Sequence, residues 1–323
     1  MGSNISVIIP CYNGWRYMSK CLESLELQSL SPYEVVVVDD CSTDDSYVKL
    51  SEYACTATFN MIVLKNKTNV GPGLSRKNAI DACHGSYVAF CDCDDWFELD
   101  FIETLTNQIQ ANEADAFMFD NYKTYDGYRI VANTVKVLQN DKKSILANAG
   151  MSLCRFVVKR EIAEKVFFPP LYHGEDGAVV PQIIAKSSKF ILIDRPFYNY
   201  YSRSDSVSQR PSAKACSQMA LAFSVVRNEL PQEYRLECEY IGIKCVCYGA
   251  VLSGFKSGVK SSEIEAVLDD FEKGFPAWER NVYRKNLGKI KNLYLFFVKK
   301  RWFGMVRLMT FLHGYYIKLR KGK

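Results

Sequence analysis

Short apolar runs alternate with helix-patterned segments along the first ninety residues. Four short strands are predicted from mainly apolar rather than alternating runs: Ile5–Pro10, Glu34–Asp39, Phe59–Leu64 and Tyr87–Cys91. Continuous runs of this length are typical of strands buried on both faces of a sheet. Helices are predicted between them over Met18–Leu27, from Ser42 to Tyr53 and from Gly73 to Ala82. This rhythm predicts an α/β fold, a mostly parallel sheet with helices on both faces.

The pattern loosens after Asp95. A helix is predicted over Phe101–Ala111, and strands are predicted at Ala116–Tyr122, Tyr128–Val137, Phe190–Ile193 and Phe197–Tyr201. From about Ser212 the spacing is helical, over Ala215–Leu230, Tyr234–Phe255 and Ser261–Phe271. We therefore expect an α/β domain over residues 1–205 and a mostly helical region over residues 206–323.

Charge is distributed unevenly along the 323 residues. The formal net charge is +5, yet the segment from Asn281 to Lys323 has twelve basic residues and no acid, which leaves −7 for residues 1–280. The twelve cysteines are scattered and form no C-x-x-C pair. Because the chain enters a strand almost at once, we expect no signal peptide and free thiols in a reducing cytosol.

Three acids crowd the end of the fourth predicted strand. Asp92, Asp94 and Asp95 follow the apolar run directly. Crowded carboxylates repel each other unless a cation or a positive side chain compensates. Open α/β folds bind ligands at the carboxyl ends of their strands. The cluster predicts a divalent-metal site that carries a phosphorylated substrate, and a solvated acidic turn is the alternative.

Polar groups follow other predicted elements in a similar way. Asp40 follows the second strand, beside Ser42 and Asp44, which are good helix N-caps. Arg76 and Lys77 lie in a Gly-rich helix start, where an anion is favoured. Glu175-Asp176 precedes a predicted helix over Gly177–Lys186. This pair is interpreted either as helix capping or as a general base for an attacking hydroxyl.

Taken in order, these segments resemble one enzyme family. They read Ser6-Val-Ile-Ile-Pro-Cys-Tyr-Asn13, Val38-Asp-Asp-Cys-Ser-Thr-Asp44, Asn69-Val-Gly71, Arg76 and Phe90-Cys-Asp-Cys-Asp-Asp-Trp96. The chain is similar to the family 2 glycosyltransferases of the GT-A fold. Weaker matches follow at Cys154–Glu161, Gly174–Asp176 and Pro196–Arg203. The resemblance covers about the first 205 residues, which it identifies as a nucleotide-sugar-binding catalytic domain.

The resemblance implies a donor pocket for a nucleotide-sugar. Pro10, Tyr12 and Asn13 would line the nucleotide, and Asp40 would hold the uracil or another base. The nucleotide-sugar would lie along Asn69, Gly71 and Arg76. A UDP-sugar is the expected donor, and the acceptor would be a glycan or a lipid-linked glycan of a cell-surface polysaccharide.

The resemblance also implies the catalytic groups. Asp92 and Asp94 would form the DxD pair that holds Mn²⁺ or Mg²⁺, with Asp94 the more direct ligand. Asp95 would touch the donor sugar or the metal. Asp176 would be the catalytic base, with Glu175 beside it. The reaction would invert the anomeric carbon in a single displacement.

Two positions depart from the family pattern. Cys41 stands where the family commonly has Gly after the two acids, so this turn must accommodate a side chain. Lys77 and Ala79 replace the usual Asn and Gly after the arginine. Neither change removes a group that the chemistry requires.

The tail over residues 284–323 is basic and aromatic. Its uncharged runs are too short to span a bilayer. A basic amphipathic helix of this kind fits the membrane interface, and it would place a cytoplasmic enzyme peripherally at the inner face of the cell membrane. A packed C-terminal helix and a nucleic-acid surface are the alternatives. We expect the tail to contact the membrane and not to bind nucleic acid.

Two other functions compete with glycosyl transfer. A nucleotidyltransferase would carry a Gly-rich basic loop near the N-terminus, where this chain has Cys11-Tyr-Asn-Gly-Trp15. A non-catalytic nucleotide-sugar or glycan-binding module would not need a base at Asp176.

Overall fold

The structure is a computed structural model that describes residues 2–132, 134–203 and 213–321. It divides into two compact units, Met1–Ser204 and Asp205–Lys323. The first unit contains the sheet, and the second contains helices.

The first four strands form the parallel part of the sheet. They are β1 (Ile5–Cys11), β2 (Glu34–Asp39), β3 (Met61–Lys65) and β4 (Tyr87–Phe90), in the spatial order β3-β2-β1-β4. The intervening helices are α1 (Ser19–Glu26), α2 (Ser46–Ala54) and α3 (Pro72–Ala82). The four valines of β2 are fully buried, as its continuous apolar run predicts. The predicted α/β fold is confirmed here, and the third strand starts two residues later than expected.

The other half of the sheet is mixed. It comprises β5 (Trp96–Phe97), β6 (Ala116–Tyr125), β7 (Tyr128–Ala132), β8 (Phe156–Lys159) and β9 (Phe190–Tyr201). The order continues from β4 as β8-β6-β9-β5, with β7 on β6. Only the β6–β9 pair is parallel in this half. All nine strands of the described residues thus form one sheet.

Several boundaries in this half differ from expectation. The two strands predicted around Pro196 are one strand, β9, whose register shifts opposite Phe119 and Asp120. The register shift explains why the apolar pattern is interrupted there. β7 ends at Ala132, and Val135–Val137 is a 3₁₀ turn. The four-residue strand β8 was not predicted, since so short a run carries little periodicity.

Four more helices complete the first unit within its described residues. They are α4 (Phe101–Asn112), α5 (Lys142–Asn148), α6 (Arg160–Ala163) and α7 (Glu175–Lys186). An aromatic core links the sheet to α4, where the rings of Phe97 and Phe101 stack with centroids 4.0 Å apart. Phe119 and Phe197 meet Phe101 from β6 and β9. This packing holds the strand that follows the acidic cluster.

The second unit is helical throughout its described residues. It comprises α8 (Ala213–Glu229), α9 (Arg235–Gly242), a π-helical segment (Ile243–Ala250), α10 (Val251–Lys256), α11 (Ser261–Gly274), α12 (Gly288–Lys299) and α13 (Phe303–Lys321). Its core contains the rings of Phe223, Phe271 and Trp278. The basic tail is two helices rather than one, because Arg301 adopts a left-handed conformation with φ 56° between them. No helix in the described part of the chain is long and apolar enough to cross a membrane.

Candidate active site

The predicted site residues of β1, β2 and β4 lie at one edge of the sheet, because parallel strands end together. Pro10 pairs in register with Val38 of β2. Tyr12 is exposed beyond the end of β1. The acidic residues 92–95 follow β4 at the same edge. The side chain of Tyr12 is therefore accessible to a ligand at this edge.

Asn13 ties the end of β1 to the loop after β2. Its backbone is left-handed, with φ 49°, and its N–H donates to the Ser42 hydroxyl at 2.9 Å. Its Oδ1 accepts from the N–H of Thr43 at 2.8 Å. Helix α2 begins only at Ser46, whose N–H donates to Asp44 at 3.0 Å. The N-cap of α2 is Asp45, whose side chain makes no capping hydrogen bond, so the N-cap prediction is wrong for both Ser42 and Asp44. Asp44 instead accepts from the first N–H of the helix, and Ser42 braces Asn13.

Asp40 anchors the loop that leads into α3. Its Oδ1 accepts from the side chain of Asn66 at 2.8 Å and from the N–H of Val70 at 2.9 Å, and its Oδ2 accepts from the N–H of Gly71 at 2.8 Å. These three bonds leave the carboxylate one ordinary acceptor position, on Oδ2. Contact of Asp40 with a base stays a prediction.

Gly71 occupies a position that favours glycine on two counts. Its φ is 87°, and a Cβ there would lie 3.0 Å from the carbonyl oxygen of Leu171. The neighbouring Asn69 has a buried Oδ1 with no hydrogen-bond partner within the described residues. A buried acceptor of this kind is normally satisfied. A ligand hydroxyl or N–H at Asn69 would satisfy it.

Arg76 joins the acidic cluster to the predicted base. Its Nη2 lies 2.6 Å from Asp92, and its Nη1 lies 3.2 Å from Glu175 and 3.4 Å from Asp176. The guanidinium is buried, which lowers its pKa, but Asp92 and Asp176 more than offset this and raise the pKa above its ordinary value. Lys77 points elsewhere and pairs with Asp81 one turn along α3. Arg76 therefore brings together two carboxylates that lie 16 and 100 residues after it in the sequence, those of Asp92 and Asp176.

Asp176 has the electrostatic properties of a general base. Burial raises the pKa of its carboxyl to about 7, and the opposing effect of Arg76 is smaller. Glu175 and Asp92 raise the pKa further, and the N–H of Leu153, which donates to Oδ2 at 3.0 Å, lowers it. A base with a pKa near the operating pH transfers protons most effectively. Helix α7 begins at Glu175, two residues before the predicted start, so both acids lie in its first turn.

The backbone donor to Asp176 is held by a buried ion pair that sequence reasoning missed. Leu153 and Arg155 belong to one 3₁₀ turn. Arg155 donates from Nη2 to Asp120 of β6 at 3.0 Å and from Nε to the carbonyl of Phe119 at 2.9 Å. Both charged side chains are almost fully buried. The motif around Cys154 was noted in the sequence, but nothing in it indicated a partner for Arg155.

Each acid of the cluster has a partner within the chain. Besides the Asp92–Arg76 pair, Asp94 binds Arg203 at 2.6 Å. Asp95 is buried and accepts from the Tyr198 hydroxyl at 2.5 Å and from the N–H of Tyr201 at 2.7 Å. Burial, and then the neighbouring acids, raise the pKa values of Asp94 and Asp95. Arg203 and the two tyrosines lie in the weaker match Pro196–Arg203, to which no role had been assigned.

The donor set at Asp92 and Asp94 fits a divalent ion that is shared with substrate. Asp92 contacts Arg76 through Oδ1, Asp94 contacts Arg203 through Oδ2, and each acid has a second carboxylate oxygen. Mg²⁺ bound to phosphates takes one or two protein carboxylates and completes its shell with phosphate and water. Within the residues that the structure describes, no three or more His, Cys, Asp or Glu side chains are arranged to hold a metal ion by themselves. Asp92 and Asp94 would therefore suit a divalent ion whose remaining ligands are phosphate oxygens and water.

Comparison with known proteins agrees with this geometry. The model of the family "Glycosyl transferase family 2" matches residues 6–167, half of the chain. The glycosyltransferase GlyA of Streptococcus pneumoniae serotype 4 is 29% identical over 64% of this chain, which spans 31% of that protein's length. The Escherichia coli enzyme named UDP-Glc:alpha-D-GlcNAc-diphosphoundecaprenol beta-1,3-glucosyltransferase WfgD is 26% identical, with 74% of this chain and 94% of that protein covered.

The fold is also similar to a solved structure. The crystal structure of S. aureus TarS 1-349 in complex with UDP-GlcNAc covers 100% of this chain and 93% of that chain, with a TM-score of 0.73 and 21% identity. The chain thus has the GT-A fold. The chain belongs to glycosyl transferase family 2 and is a transferase of the glycosyl-transferring class.

Proposed function

We propose that this chain transfers a sugar from a UDP-sugar to a hydroxyl of a glycan or lipid-linked glycan in cell-surface polysaccharide synthesis, with inversion. One observation carries the proposal: Arg76 contacts both Asp92 at the donor edge and Asp176 at the start of α7. A donor-binding acid and a tuned base thereby share one site. A binding module has no use for the base.

The donor assignment rests on the pocket and on two relatives. Tyr12 is exposed just beyond the carboxyl end of β1, and Asn69 offers an unsatisfied acceptor. TarS was crystallised with UDP-GlcNAc, and the name of WfgD specifies UDP-Glc. We propose a UDP-sugar in the same position, with Asp40 toward the base and Asn69, Gly71 and Arg76 along the diphosphate and sugar.

Arg76 lies between the two groups that take part in the reaction: Asp176, which accepts a proton, and Asp92, which lies at the donor. Asp176 accepts the proton of the acceptor hydroxyl, whose oxygen attacks the anomeric carbon on the face opposite the diphosphate. The N–H of Leu153 holds Oδ2 of Asp176, and Arg76 stabilises the carboxylate before it takes the proton. Asp92 and Asp94 would hold Mn²⁺ or Mg²⁺, which supplies charge neutralisation at the leaving diphosphate. Asp95 braces the cluster against β9 through Tyr198 and Tyr201.

We also propose that the acceptor is attached to a lipid at the inner face of the cell membrane. The name of WfgD specifies a diphosphoundecaprenol-linked acceptor. A cytoplasmic enzyme with such an acceptor benefits from peripheral membrane contact, for which residues 284–323 are the candidate segment.

The test is sugar transfer with a panel of UDP-sugars and Mn²⁺, on the wild type and on Asp176→Asn. The variant should bind UDP as the wild type does and transfer about 10² to 10⁴ times more slowly, the usual contribution of a general base. Turnover near the wild-type rate removes the base assignment. UDP binding by a wild type that never turns over any donor favours the binding module, and release of pyrophosphate from UTP favours the nucleotidyltransferase.

A further inference from the structure

Helix α12 has two apolar faces, and only one of them packs into the second unit. Leu295 and Val298 are fully buried, as expected for the inner face. On the opposite side Ile290, Leu293 and Phe296 are exposed, and Ile290 keeps 77% of its surface open. Apolar residues on the solvent face of a helix are not needed for its packing. The outer face of α12 therefore has the composition of a contact surface.

Helix α13 repeats this arrangement. Val306 and Thr310 are buried on its inner face. Met305, Leu308 and Leu312, spaced three and four residues apart, are exposed together on the outer face. Phe311, beside them, is 70% exposed. Over the part of this helix whose side chains are described, the outer face is apolar rather than charged.

An aromatic cluster joins the two exposed faces at the bend between the helices. The ring of Trp302 stacks on Phe297, with centroids 5.9 Å apart, and meets Phe296 edge-on at 6.0 Å. Trp302 and Phe296 remain exposed. We call the surface formed by Ile290, Leu293, Phe296, Trp302, Met305, Leu308, Phe311 and Leu312 the α12–α13 apolar face. Tryptophan at the margin of an apolar surface is typical of residues that lie at the level of lipid headgroups.

Lysines lie at both ends of the apolar stripe on α12. Lys289, Leu293, Phe296 and Lys300 follow one another at spacings of four, three and four residues, which places them on one side of the helix. Both lysines are exposed. A lysine side chain can bury its own methylene groups against an apolar surface while its ammonium group stays in water. An apolar centre between positive ends is complementary to an anionic, apolar surface.

The charge of the segment agrees with this complementarity. From Asn281 to Lys323 twelve residues are basic and none is acidic. Lys299 and Arg301 are engaged by acids of the neighbouring helix, among them Glu272 and Asp269. A second copy of this chain would offer its own positive face here, which opposes a symmetric contact.

We propose that the α12–α13 apolar face docks on an anionic phospholipid bilayer, with both helices lying in the plane of the interface. This inference deepens the proposed function, since it names the surface that would hold the enzyme near a lipid-linked acceptor. The exposed apolar side chains would be buried among the lipid acyl chains, and the lysines would be attracted to the anionic headgroups. The bend at Arg301 lets two short helices cover a wider area than one straight helix.

The experiment is co-sedimentation of the full chain with vesicles of phosphatidylcholine containing 30% phosphatidylglycerol, compared with pure phosphatidylcholine. We expect the wild type to pellet with the anionic vesicles and to release at high salt. Leu308→Asp combined with Phe311→Asp should lower the partition coefficient at least tenfold. Leu236→Asp is the matched control, because Leu236 is also an exposed helical leucine of the second unit, 53% exposed against 50% for Leu308. This control should bind as the wild type does.

The outcomes separate this inference from the catalytic one. Equal pelleting of the double variant and the Leu236→Asp control, or no binding of the wild type to anionic vesicles, overturns the docking surface. A lipid-free dimer that the double variant dissociates assigns the face to a second copy and overturns it as well. Donor hydrolysis in solution reports on the site in Met1–Ser204, so it should be unchanged in the double variant. If the wild type hydrolyses no donor, the proposed function is refuted instead.

Discussion

At the scale of single residues, Asp176 predicts how the rate depends on pH. A base must be deprotonated to act, and burial raises its pKa to about 7. The rate should therefore rise as pH increases through 7 and should be about tenfold below its plateau at pH 6. The measurement is kcat/KM for transfer between pH 5.5 and 8.5, which reports the ionisation of the free enzyme, with UDP affinity followed over the same range. A flat profile while UDP binding is constant would contradict the assignment.

Cys41 predicts a change in stability at the same scale. Its φ of 59° is left-handed, which costs a residue with a side chain about 1–2 kcal/mol. Glycine removes this cost but adds about 0.5–1 kcal/mol of chain entropy in the unfolded state. Cys41→Gly should therefore raise the free energy of unfolding by up to about 1 kcal/mol, measured by urea denaturation. Cys55→Gly is the control, since Cys55 is exposed with φ −74° and should gain nothing.

At the scale of elements, the turn Leu153–Arg155 links the sheet to the base. Asp120→Asn keeps the shape of the side chain and removes the charge opposite Arg155. Breaking a buried pair in this way typically costs about 3–5 kcal/mol of stability. If the turn then moves, Asp176 loses the Leu153 N–H that lowers its pKa. We expect a lower melting temperature and an upward shift of the pH midpoint for transfer.

A matched control for this variant is Asp115, which directly precedes β6 and also forms an ion pair. Asp115 pairs with Lys159, and both side chains are partly exposed. Asp115→Asn should cost stability without moving the pH midpoint. If Asp120→Asn lowers stability and leaves the midpoint where it is in the wild type, the ion pair is structural only.

The same elements show what could be predicted from the sequence. Strands β1 to β4 follow the predicted order because each is a continuous apolar run bounded by polar or turn residues. The short strand β8 escaped prediction, yet it inserts between β4 and β6 and positions the turn that contacts Asp176. Local pattern identifies an element when it is long and regular. It does not specify which element a short strand pairs with.

The candidate site shows the same division. The resemblance indicated Asp92, Arg76 and Asp176 as functional. The structure adds that the guanidinium of Arg76 contacts the carboxylates of Asp92, Glu175 and Asp176. The pairs Asp94–Arg203 and Asp120–Arg155 span 109 and 35 residues. Such pairs form because of the order of strands in the sheet, so no spacing in the sequence predicts them. Arg203, like Arg76, places a positive charge beside the crowded acids, whereas Arg155 compensates the charge of Asp120 in the core.

At the scale of the whole molecule, every residue of the candidate site lies in the unit Met1–Ser204. A ligand that binds only the folded state stabilises the cooperative unit that holds it, by about 2.7 kcal/mol at 100 times its Kd. Saturating UDP should therefore slow the exchange of the most protected amides of this unit by about a hundredfold. The amides of Asp205–Lys323 should keep their rates.

Hydrogen exchange followed by mass spectrometry reads both units in one sample. Inorganic pyrophosphate at the same concentration is the control, because it offers the diphosphate without the base and ribose that Asp40 and Asn69 are proposed to contact. Adding Mn²⁺ with UDP should increase the protection if Asp92 and Asp94 bind the ion together with the diphosphate. Equal protection of both units would contradict the assignment of the nucleotide to the first unit alone. Protection by pyrophosphate equal to that by UDP would remove the proposed contacts to base and ribose, while leaving the diphosphate site in place.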